Sequence, residues 1–167
     1  MGETRHLAQC GLLAGVIAVC AWIAVPIPPV SFTMQTFAVC LTLGLLGGKW
    51  GSVSILIYLL LGAVGLPVFT GFRGGIGTLL GPTGGFLWGF ALSGPAYALT
   101  RRLGKLPGMI AAMAVCYLCG CLWYTVYAPG TTLWGAFLIC GVPYLLPEGV
   151  KIALAMRLTR RLEKYIP

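Results

Sequence analysis

Acidic residues are nearly missing from this chain. Its 167 residues include three, Glu3, Glu148 and Glu163, and one histidine, His6. With so few carboxylates and a lone histidine near one end, general acid–base hydrolysis has no obvious machinery, and no H-E-x-x-H is present. Charged residues of both signs make up 8%, against about 25% in a soluble domain. Most of the chain therefore cannot face water. Nucleotide-binding signatures are absent as well. "GLLGGKW" (44–50) has Trp50 where a phosphate loop needs Ser or Thr, and "GGIGTLLG" (74–81) follows no strand of a βαβ unit. The seven cysteines, at 10, 20, 40, 116, 119, 121 and 140, show neither disulfide nor zinc spacing. Cys116 and Cys119 form a C-x-x-C inside an apolar helical run with no histidine nearby, so these thiols read as small packing groups. No catalytic residue, cofactor or metal site is expected.

What is abundant is apolar surface and glycine: 59% hydrophobic residues and 25 glycines. Glycine lets transmembrane helices approach closely. The composition predicts an all-α integral membrane protein, with residues 1–167 as one domain in the lipid bilayer. Apolar runs place spans at 7–25, 32–46, 50–66, 84–100, about 107–128, and from near Pro147 to the basic C-terminal cluster. The first run is long enough to cross about 30 Å of hydrocarbon and has no small-residue cleavage site after it, so it reads as a span rather than a removed signal. Pro26, Pro28 and Pro29 break the first span. Residues 131–142 are too short to cross and are expected to be interfacial or re-entrant. Six transmembrane helices result.

The net charge of +8 could suggest nucleic acid. Its placement in short clusters between apolar runs, rather than on one polar face, argues against that partner. With both termini cytoplasmic, Arg5, Lys49, Arg101, Arg102, Lys105, Arg157, Arg160, Arg161 and Lys164 all lie inside, as the positive-inside rule requires. Arg73 and Lys151 are left on the outer side, unexplained by topology.

Lys151 stands three residues after Glu148 in "LLPEGVKIAL" (145–154), so the two share a helix face. Ionisable groups at bilayer depth cost about 2.5–3.5 kcal/mol on insertion scales and are found paired or lining cavities. Either the pair locks the last helix to its neighbours, or it belongs to a ligand site for an amide- or urea-like group. Arg73 in "FTGFRGG" is a loop cation or a counter-ion for an anionic ligand. Thr33 and Gln35 follow the proline-rich turn on the same side. Tyr58 reads as a packing residue with its hydroxyl bonded. Ala14 and Ala18 form a small-xxx-small face suited to close helix contact, internal or with another subunit.

Five stretches together resemble the BioY family, the biotin-binding S components of energy-coupling factor (ECF) transporters: "FTMQTFAV" (32–39), "GGKWG" (47–51), "YLLLGAVGLPVF" (58–69), "GGIGTLLGPTGGFLWGF" (74–90) and "VPYLLPEGVKIALA" (142–155). The resemblance implies an S-component-like bundle of six helices in the cytoplasmic membrane. It also implies a non-catalytic role in vitamin uptake, a biotin pocket near the outer face, and partners: a membrane T component and two cytosolic ATPases. It places the family's acidic-x-x-lysine motif on Glu148 and Lys151, with Glu standing where the family usually has Asp. On this reading Glu148 meets a ureido N–H, Lys151 the ureido carbonyl or the carboxylate, and Arg73 the carboxylate. Thr33 and Gln35 lie nearby, and Phe69, Tyr58 and Gly74 cover the ring. The family's A-x-x-x-A docking face falls on Ala14 and Ala18. The alternatives are an S component for another vitamin, or a structural or channel-type protein in which Glu148 and Lys151 simply pair. Thiamine is the less suited ligand, being cationic where the site offers one acid and two cations.

Overall fold

A computed structural model of the chain describes residues 2–27 and 30–165. Pro28 and Pro29, part of the expected break after the first span, lie outside the described residues. The elements are helix α1 (Gly2–Trp22), a two-stranded hairpin of β1 (Ala24–Val25) and β2 (Phe32–Thr33), then α2 (Gln35–Ala63) and a short α3 (Ile76–Leu79). They continue with α4 (Gly84–Thr100), a 3-10 turn (Arg101–Leu103), α5 (Lys105–Tyr127), α6 (Leu133–Cys140) and α7 (Val142–Leu162).

The second and third expected spans appear as α2, which is broken at Gly47. That residue has φ 74° and ψ −176°, a backbone state open to glycine and strained for any side chain. The Arg101 guanidinium also occupies the place its Cβ would take. The chain doubles back at this point: a Cβ on Gly51 would lie 3.2 Å from Leu43 Cα, which a straight helix rising 1.5 Å per residue forbids. Six longer helical segments follow among the described residues, namely α1, the two arms of α2, α4, α5 and α7, beside the short α3 and α6. Glu3–Trp22, Gln35–Ala63 and Lys105–Tyr127 are each long and apolar enough to cross a bilayer, and α6 with α7 adds a fourth candidate bent by 51°.

One boundary needs correction. The last helix begins at Val142, not near Pro147, with Pro143 in its first turn and Pro147 inside it. Proline in the first turn gives up only an N–H that has no helical partner anyway, and Pro147 removes one further bond. The apolar segment before it forms α6, whose N-cap Thr132 side chain accepts from Gly135 N–H.

The two ends of the bundle differ in charge. At one end, His6 stacks on Trp50 at 5.0 Å, Arg101 covers Gly47, and Lys105 pairs with Glu163. The start of α1, the α2 break, the 3-10 turn and the end of α7 therefore meet there, bringing most of the basic residues with them. At the opposite end gather the end of α1, the hairpin, the loop 64–75 and the start of α7.

Candidate functional site

The buried core is apolar, and Ala14 and Ala18 belong to it: they are 2% and 6% exposed. In this conformation the small residues let α1 pack closely inside the chain.

Opposite the basic end, a cavity of about 770 Å³ opens between the hairpin, the loop 64–75 and the helices. Of the residues singled out from sequence, Thr33, Gln35, Phe69, Arg73 and Lys151 line it. Arg73 is exposed, whereas Lys151 is 4% exposed, so they mark its mouth and its floor. The loop that carries Arg73 is pinned by the Phe69–Arg73 bridge and by Trp22 of α1, whose indole N–H donates to the Pro67 carbonyl at 2.9 Å. Trp22 also stacks on Phe72 at 5.0 Å.

Tyr58 and Gly74 do not line the cavity. Tyr58 is fully buried; its hydroxyl accepts from Gln35 Nε2 at 2.8 Å and donates to the Val68 carbonyl at 3.2 Å. It therefore ties a cavity-lining amide to the loop while its ring meets Phe69 edge-on. Gly74 packs directly on the backbone of Gly65 and Leu66.

The floor is a buried polar cluster. Lys151 Nζ donates to Glu148 Oε2 at 3.1 Å and to Thr36 Oγ1 at 2.9 Å, and it sits 4.1 Å over the Phe32 ring. Thr36 and Tyr117 both donate to Glu148 Oε2, at 2.9 and 3.2 Å. Buried charges are tolerated when paired and hydrogen-bonded in this way. Glu148, 4% exposed, is not itself part of the cavity wall. It borders a separate apolar cleft of about 780 Å³ between α5, α6 and α7, and its Oε1 has no partner among the described residues. Glu148 thus meets the cavity through Lys151, Thr36 and Tyr117, which do line it.

Sequence reasoning missed Thr36, Tyr117, Phe32 and Tyr144. Tyr144 stacks on Phe32 and donates to the Val30 carbonyl, holding the start of α7 against the hairpin. A helix-period reading would have put Thr36 beside Gln35 at the start of α2. Nothing local marks Tyr117 within its apolar helix.

The sequence model of the BioY family matches residues 1–167. A biotin transporter BioY of Thermotoga maritima is 35% identical, with 96% of each chain covered. A probable biotin transporter BioY of Pyrococcus horikoshii is 36% identical, covering 96% of this chain and 98% of its own. The crystal structure of an S component for biotin from an ECF-type ABC transporter superposes with a TM-score of 0.88 at 24% identity, over 98% of this chain and 93% of that one. At that identity the superposition speaks for the fold.

Proposed function

The chain belongs to the BioY family, and from that premise we propose that it is the biotin-capturing S component of an ECF-type uptake transporter in the cytoplasmic membrane. The observation that carries this reading is the cavity's polarity: a buried ammonium at the floor, a guanidinium at the mouth, and largely apolar wall between. Its volume of about 770 Å³ falls within the roughly 300–1,000 Å³ of small-molecule sites, which pair apolar walls with a few polar anchors. Biotin has the matching pattern. Its ureido ring is a compact polar head, its thioether ring and methylenes are apolar, and its tail ends in a carboxylate.

In this reading the head meets Lys151, whose charge Glu148 balances, and the carboxylate meets Arg73. Gln35 and Thr33 supply further polar contacts, and Phe69 covers the ring body. Tyr58 and Gly74 act indirectly, by holding the loop 64–75 in place. The cavity opens outward, and both termini are cytoplasmic. The gathering of basic residues at the bundle end opposite the cavity supports that orientation. On this reading uptake works through a membrane T component and two cytosolic ATPases, the partners an ECF-type S component implies.

The experiment is purification of the chain in detergent followed by thermal denaturation with biotin, thiamine or riboflavin. Biotin alone should raise the Tm, by mass action of about 2.7 kcal/mol at a hundredfold excess over Kd. A response to another vitamin, or to none, overturns the reading.

A further inference from the structure

The cavity floor holds more than the ion pair. Three polar side chains line it there, Lys151, Thr36 and Tyr117, and all three are bonded to one oxygen, Glu148 Oε2. A carboxylate paired with an ammonium can only accept. Each hydroxyl carries a single proton, and in both Thr36 and Tyr117 it is directed to Glu148. Thr36 Oγ1 also accepts from Lys151. Towards a ligand, then, the Tyr117 and Thr36 oxygens have only lone pairs left. Lys151 has three N–H groups; one goes to Thr36 and one to Glu148. The third meets no oxygen among the described residues and faces the Phe32 ring, a weak acceptor that a carbonyl would displace.

We infer that Glu148 acts from behind the wall as a positioning residue, and that Thr36 and Tyr117 are the specificity-determining acceptors for the ligand's N–H groups. This inference rests on the biotin reading above. The floor becomes one donor, Lys151, accompanied by two acceptors. A cyclic urea presents the complementary edge, one carbonyl flanked by two N–H groups. A vitamin lacking adjacent N–H donors would leave these acceptors buried and unpaired, which is how polar sites reject analogues.

The test is calorimetric titration of the purified chain and three variants with biotin and with biotin methylated on one ureido nitrogen. Thr36→Val and Tyr117→Phe, both close in shape to the native residues, should each weaken biotin on the order of tenfold, the scale of one lost buried hydrogen bond. Thr36→Ser should rescue affinity to near that of the native chain. The native chain should prefer biotin over the methylated compound, and at least one of the hydroxyl-deleted variants should lose most of that preference, which a purely structural role would not alter. If the native chain binds biotin while both deletions leave affinity and preference unchanged, or weaken the two ligands equally, this inference is overturned and the functional reading stands. If the native chain binds no biotin, both fall.

Discussion

Lys151 Nζ and Thr36 Oγ1 lie 2.9 Å apart although 115 residues separate them. This bond joins the start of α2 to α7 in the floor of the cavity, so the packing of the bundle and the polarity of the site depend on the same contact. Lys151→Ala should weaken biotin binding by more than about tenfold, above about 1.4 kcal/mol. Removing one member of a buried pair also destabilises, but Thr36 and Tyr117 still hold Glu148, and the protein should fold. Calorimetry on the folded variant checks this, and unchanged affinity would assign Lys151 a structural role only.

The mouth of the cavity depends on Trp22. Trp22→Phe loses the bond to the Pro67 carbonyl and keeps an aromatic contact with Phe72, whereas Trp22→Ala loses both. One such bond contributes about 0.5–1.5 kcal/mol, so biotin should dissociate a fewfold faster from Trp22→Phe and faster again from Trp22→Ala. Stopped-flow chase with unlabelled biotin measures these rates. Equal rates in all three proteins would remove the latch.

Much of the architecture was legible in sequence because long apolar runs have one physical destination, and because "GLLGGK" carries the glycine that α2 needs at its reversal. The start of α7 was not legible, since Pro143 and Pro147 read locally as interruptions. Their actual cost is small, one in the first turn and one at a single missing bond. The Glu148–Lys151 pair was visible as a misplaced charge in greasy sequence. Thr36 and Tyr117 were not, because their importance comes from meeting Glu148 across the bundle, and no spacing encodes that. The Ala14–Ala18 spacing likewise identified a close contact without saying on which side of α1 it lay.

That last point has a measurable consequence. Ala14→Leu should destabilise the chain by about 1–3 kcal/mol through overpacking, and uptake in reconstituted vesicles should fall in step with the amount of folded protein. A variant of native stability with impaired uptake would return Ala14 to a docking face.

Gly62 makes a separate case for the loop. The Phe69 ring lies directly on it, in the space a Cβ would fill, and Phe69 in turn lines the cavity. Gly62→Ala should therefore lower the Tm and weaken biotin together, with overpacking of about 1–3 kcal/mol shared between the two. Thermal denaturation with and without biotin separates the contributions. A native-like response in both would show that the loop tolerates a displaced Phe69.

The most direct measurement is a crystal structure of the chain with biotin bound. The ureido carbonyl should lie within hydrogen-bond reach of Lys151 Nζ, with the carboxylate towards Arg73. An occupied cavity in which Lys151 touches only Glu148 and Thr36, and biotin's head lies elsewhere, would contradict the proposed recognition.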